Sequence, residues 1–209
     1  MDYQIITKNI KSLILRVDKN GIIKVSAPKN YNRKYINDFV ESNRQWIEKR
    51  INNIPKYNNG SKIYYFENEF LLTIESSFKN EFIELENNLI IKIKNKENIK
   101  KMILKWYKQK SKNLIESILQ TYQDKIGREV KKVRLRDMST KWGSCNYSTA
   151  VITLNSTLFL KPKICFEYVL LHELIHLVHP NHGKGFYSML DSLMPHWKEI
   201  KNKLEGYLK

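Results

Sequence analysis

Within the run Leu171-His172-Glu173-Leu174-Ile175-His176, the first histidine, the glutamate and the second histidine form an H-E-x-x-H pattern. His182 follows shortly after. Residues four apart on a helix share a face, so His172 and His176 can direct two imidazoles at one metal ion, with Glu173 beside them. These residue types suit metal-assisted hydrolysis of a peptide bond. Neutral imidazoles hold zinc, and a carboxylate takes a proton from water. The chain has only five histidines, so the pattern does not follow from a histidine-rich composition.

The surroundings sharpen this reading. From Ile164 to Val178 the spacing predicts a helix. Leu170, Leu174 and Leu177 share one side, and Leu171, Ile175 and Val178 lie next to them. A helix apolar around most of its circumference is a buried one. Yet this helix carries His172, His176 and His179 on one stripe. Buried polar groups are costly without partners, and a metal ion with water would satisfy them. Solvated histidines on a polar face are the plainer alternative, and the apolar context disfavours it.

A catalytic zinc usually has three protein ligands and one open position. His179 and His182 compete for the third place. His179 lies on the stripe but directly precedes Pro180, which pushes it away from helical geometry. Pro180 and Asn181 read as a helix stop and turn that swings His182 back to the metal, and this favours His182. Gly183 and Gly185 are expected to allow unusual backbone angles there. Cys165 precedes His172 by seven positions, about 10 Å along a helix, too far to share the ion.

The elements that must position these residues are expected to make an α+β fold. Leu13, Leu15 and Val17, then Asp18-Lys19-Asn20-Gly21, then Ile23 and Val25, read as a hairpin closed by Pro28. Asn32 to Ile54 reads as one helix, with Ile36, Phe39, Val40, Trp46, Ile47 and Ile51 at core spacing and Trp46 as a packing anchor. Pro55 to Ser61 is a polar break. Tyr64 to Ile93 reads as short strands. Its glutamates, Glu67, Glu69, Glu75, Glu81, Glu84 and Glu86, are expected on a solvated face. Glu97 to Ile126 reads as one long helix ended by Gly127, with Ile99, Ile103, Trp106, Leu114, Ile118 and Tyr122 in the core. Strands over Val130–Arg136 and Ala150–Leu154 flank Trp142-Gly143-Ser144-Cys145. The helix with the histidines follows Pro162, another spans roughly Gly185 to Leu193, and Pro195 opens a terminal one. The expected division is a strand-rich region with one helix over 1–95, packed on a catalytic domain over 96–209.

The 209 residues and 42% hydrophobic content support a substantial core. No stretch approaches the ~20 apolar residues of a membrane span, and the N-terminus lacks an apolar signal-peptide core. A cytoplasmic protein without a membrane partner is expected. The two cysteines imply no disulfide framework. The net charge of +16 comes mostly from lysines spread along the chain. Nucleic acid is one partner such charge would suit, and AT-rich codon bias is the alternative. The oligomeric state is not legible.

From Val133 onward, several motifs occur in order. They are Arg134-Leu135-Arg136-Asp137-Met138, Lys141-Trp142-Gly143-Ser144-Cys145, Ile152-Thr153-Leu154-Asn155, Tyr168 to Leu174, Asn181-His182 and Met194-Pro195. The chain resembles the YgjP-like metallopeptidases, a group related to the SprT-like and WLM proteins. The resemblance extends through the N-terminal hairpin and the Phe39–Trp46-Ile47 helix. It implies a zincin-type fold and one zinc ion held by His172, His176 and His182, with Glu173 catalytic. Departures from the family pattern are Lys141 for arginine, Gly183 for serine, Tyr187 for tryptophan, and a 146–149 turn without glycine. By the same resemblance, the strand Ile152-Thr153-Leu154 is expected to align a polypeptide substrate as an edge strand. Arg136, Tyr187 and His196 are candidates to stabilise the oxyanion. The expected function is a zinc endopeptidase with Glu173 as general base. The alternatives are a DNA-associated binding protein and a non-peptidase hydrolase built on the same site.

Overall fold

The computed structural model describes all residues except 19, 20, 53–56, 96, 97, 139, 208 and 209. The described residues form a mixed α+β structure with three small sheets and seven α-helices. The chain divides into two compact units, Met1–Lys56 and Tyr57–Lys209. The boundary expected from the sequence, 95/96, falls inside the second unit.

In the first unit, β2 (Ile14–Val17) pairs antiparallel with β3 (Ile23–Ala27), as the alternation predicts. The central turn residues Lys19 and Asn20 lie outside the described residues. A strand not foreseen, β1 (Gln4–Thr7), joins β3 in parallel on its other side. The single helix expected from Asn32 is two, α1 (Arg33–Ser42) and α2 (Arg44–Asn52). The break is at Asn43, whose side-chain amide donates to the Phe39 carbonyl at 2.8 Å. Such side-chain bonds compete with the helical ladder. Ile54 and Pro55 lie outside the described residues. Ile23, Val25, Ala27, Ile36, Val40 and Ile47 form this unit's core. Trp46 is not an anchor: it is 41% exposed, with the Arg50 guanidinium over its ring.

The second unit opens with the sheet β4-β5-β7-β6, made of Lys62–Tyr65, Asn68–Ser76, Asn88–Ile93 and Glu81–Leu85 in that spatial order. The expected long helix is again two, α3 (Ile99–Lys110) and α4 (Lys112–Ile126). Its expected start, Glu97, lies outside the described residues. The break is at buried Ser111, whose hydroxyl donates back to the Tyr107 carbonyl. Gly127 ends α4 at φ 73, a left-handed conformation that glycine adopts without penalty. Glu84 accepts from the Trp106 indole and pairs with Lys110, so part of the acidic stretch has a structural role.

A second sheet follows in the order β8-β10-β9, from Lys132–Arg136, Val151–Asn155 and Gly143–Asn146. β10 is parallel to β8 and antiparallel to β9. After a 3-10 turn at Ser156–Leu160 come α5 (Lys163–Ile175), α6 (Lys184–Leu193) and α7 (Trp197–Gly206). α5 packs against α4, α6, α7, β9 and β10. That is why its leucines are buried on nearly every side. One continuous core links Ile63, Phe70, Leu72, Leu89 and Ile91 of the first of these sheets to Trp106, Phe159 and the α5 side chains.

Candidate metal centre

Three histidines converge where α5 ends. Potential ligand atoms of His172, His176 and His182 lie within 4.8 Å of one another. His172 is one turn from the end of α5, and His176 is its C-cap. The chain then turns, with the amides of Leu177, Val178 and His179 donating to Leu174 and Ile175 carbonyls. His182 comes back from that turn, and its Nε2 lies 3.0 Å from His172 Nε2. Two such nitrogens facing each other call for a shared cation or proton.

His179 is not in the group. Its carbonyl lies 3.0 Å from His176 Nδ1. Donation from Nδ1–H fixes the tautomer and leaves Nε2 bare for a metal, an orienting contact common behind histidine ligands. The His179 ring lies against Gly185, where an added Cβ would stand 2.7 Å from its Cε1. Gly183 has φ −85 and Gly185 is helical, so neither supplies an unusual angle. What Gly185 supplies is room for the His179 ring.

Phe186 was missed in the sequence. It is 1% exposed, and its ring centroid lies 4.7–4.8 Å from those of all three histidines. Its position four residues after His182, near the start of α6, was the available signal. Tyr168 also meets the His172 ring edge-on.

Burial pushes His172 down to about 3, with His176 and His182 adding to the effect. His182 is lowered by burial and then by His176. Both are therefore neutral near pH 7, the form that binds metal. The His172 Nδ1 is buried without a protein partner.

Glu173 is buried, at 6% exposure. Burial pushes its carboxyl up to about 8, partly opposed by Lys141. Beside it runs β9. A Cβ on Gly143 would fall 2.7 Å from Glu173 Oε1 and 2.8 Å from its Cγ. Only glycine leaves the strand this close to the carboxyl. The approach to β9 is held by buried Asn155, whose amide donates to the carbonyls of Met138 and Lys141 at 2.8 and 2.9 Å. Two residues further along β9, Cys145 is half-buried, and burial pushes its thiol up to about 11, with Glu173 adding to it. Cys165 is buried in the core, and neither cysteine is in a disulfide.

β10 cannot be the substrate-aligning strand the sequence reading expected. It is the central strand, paired on both sides, so its backbone groups are already used. The edge strand beside Glu173 is β9, which among the described residues pairs only with β10. Among the oxyanion candidates, Tyr187 alone stacks near the histidines, 6.2 Å from the His182 ring and on Trp197. Arg136 ends β8, at the opposite edge of the sheet from β9. His196 caps α7.

The histidine set suits a divalent metal: three imidazoles, one already oriented from behind, lie close enough to share an ion. No helix is long and apolar enough to cross a membrane among the described residues.

The chain matches the model of the YgjP-like family, described as a metallopeptidase domain, over residues 11–207. No curated protein matches it. Among solved structures, it is similar to the metallopeptidase zymogen abylysin of Pyrococcus abyssi, with 24% identity and a TM-score of 0.41 over 45% of this chain and 94% of that one. It is likewise similar to the zymogen jannalysin of Methanocaldococcus jannaschii, with 25% identity and a TM-score of 0.40 over 46% of this chain and 97% of that one. The chain belongs to the YgjP-like family and carries its metallopeptidase domain.

Proposed function

We propose that this YgjP-like chain is a single-zinc endopeptidase of zincin type. His172, His176 and His182 hold the ion, and Glu173 is the general base. The observation that carries this reading is the convergence of three histidines at the end of α5, with a buried carboxyl on the same helix. Three imidazole ligands favour zinc over the hard cations and leave a position open for substrate. Zinc bound there would supply a Lewis acid for the scissile carbonyl and make water more acidic.

The protein's own groups do the rest. A cation beside Glu173 favours its ionised form, against the burial that otherwise keeps it protonated. Its Oε1 then accepts the proton of the attacking water and returns it to the leaving amine. The free edge of β9 pairs with the main chain of an extended substrate, which Gly143 lets approach the carboxyl. Phe186 keeps the three imidazoles in place from below. The cytoplasm, a reducing compartment, fits two unpaired thiols.

The reading is tested by incubating the protein with an unfolded polypeptide. Chelator should abolish cleavage and zinc should restore it. Cleavage that persists in chelator would refute a metal peptidase.

A further inference from the structure

The sheet beside the metal centre has a second free edge. Among the described residues β8 pairs only with β10, so the outward backbone groups of Lys132–Arg136 have no strand partner there. A groove of about 390 Å³ runs along this edge, between β8 and the helices α3 and α4. Its floor is apolar, formed by Ile115, Leu119 and Val133, and its rim carries Lys108, Lys112, Lys131, Lys132 and Arg134 against a single acid, Glu116. Glu116 is engaged by Lys112 at 3.9 Å. Among the described residues, no carboxylate is in ion-pair reach of Lys108, Lys131, Lys132 or Arg134. Along β8 the exposure alternates, with Lys132, Arg134 and Arg136 outward and Leu135 buried. Cations two residues apart on a strand stand about 6.6 Å from each other, the spacing of alternate side chains on a partner strand.

We infer that the β8 edge groove is an exosite that captures an extended acidic polypeptide segment by strand addition. Backbone pairing to β8 supplies the register, alternate carboxylates meet the rim cations, and intervening apolar side chains rest on the floor. Charge alone would suit any polyanion. A free strand edge above an apolar floor favours a peptide, because a sugar–phosphate backbone cannot continue a β-ladder. The exosite is separate from the metal centre, since β10 lies between β8 and β9. It does not depend on the catalytic assignment.

The test uses the full chain and a labelled nine-residue peptide of alternating glutamate and valine, read by fluorescence anisotropy. Micromolar binding is expected. It should weaken at least about tenfold in the doubly substituted Lys132→Glu, Arg134→Glu protein, and to a similar extent in Lys108→Glu, which alters the opposite wall. It should also weaken when alternate peptide nitrogens are methylated, because that removes ladder hydrogen bonds while leaving the charge. Glu173→Gln should leave binding unchanged, and the double variant should cleave a short neutral peptide at the wild-type rate. Thermal unfolding of each variant confirms that it is folded. The inference is overturned if the methylated peptide or a lysine–valine peptide binds equally well. It is also overturned if single-stranded oligothymidylate binds more tightly, which would make the groove a nucleic-acid site. Self-association of the chain that is lost in the double variant would assign the groove to a second copy and overturn it too.

Discussion

Replacing Glu173 by glutamine should make the metal-free protein more stable, by an amount that grows with pH. In the folded chain burial holds this carboxyl protonated up to about 8, against an ordinary value of 4.5. Below 4.5 the group is neutral in both folded and unfolded chains, so its contribution is fully present. As pH rises toward 8 the unfolded chain releases the proton while the folded chain keeps it, and stability falls. At about 1.4 kcal/mol per pH unit, the loss across that interval is about 5 kcal/mol. This is a large share of the roughly 5–15 kcal/mol that holds a domain together. Glutamine has nearly the same shape and no charge to desolvate, so it escapes the loss. His172, lowered by burial, also makes stability pH-dependent, but equally in both proteins. Urea unfolding in chelator from pH 4.5 to 9 should therefore give curves that nearly coincide at the acid end. They should separate by several kcal/mol near pH 8.5, with the variant higher. Zinc should shrink the gap, because a nearby cation favours the ionised carboxyl. Parallel curves across the whole range would refute the burial of Glu173 as the source of its raised pKa.

Three further outcomes are expected. Gly143→Ala places a methyl 2.7 Å from Glu173 Oε1, and should cost about 1–3 kcal/mol of stability while lowering kcat/KM, checked by thermal unfolding and peptide cleavage. His182→Ala should weaken zinc binding on the order of 100-fold or more, whereas His179→Ala, which keeps the carbonyl that faces His176, should change it little; competition with a chromophoric chelator measures both. A fragment of residues 57–209 should fold, and one of 96–209 should not, as read by near-ultraviolet circular dichroism. The shorter fragment loses the buried Ile63, Phe66, Phe70, Leu72, Leu89, Ile91 and Ile93, each worth roughly 1.5–3 kcal/mol.

Much of the frame was legible from residue types. The apolar run after Pro162 marked α5, Gly127 marked the end of α4, and Pro180-Asn181 marked the turn that returns His182 to the other two histidines. What escaped was decided by single polar bonds and by tertiary contacts. The helical periodicity runs unbroken through Asn43 and Ser111, so nothing in the spacing shows that their side chains bond back to Phe39 and Tyr107. β9 is short and built of Gly143, Ser144, Cys145 and Asn146, without the alternation that marks a strand. The resemblance pointed to Ile152–Leu154 as the substrate edge, but the apolarity of that strand reflects its central, doubly paired position. The roles of Gly143 and Gly185 depend on Glu173 and on the His179 ring, and a sequence does not say which side chain will lie against a glycine. Phe186 carries no motif of its own, and its place against the three histidines is set by the tertiary fold.

The most direct test of a zinc peptidase centred on Glu173 combines metal analysis and cleavage for the Glu173→Gln protein. Zinc should be retained at one ion per chain, as in the unaltered protein. Hydrolysis of an unfolded polypeptide should fall by at least about a thousandfold, the scale expected when the general base and its charge are both removed. Cleavage near the unaltered rate, with zinc still bound, would contradict the role given to Glu173.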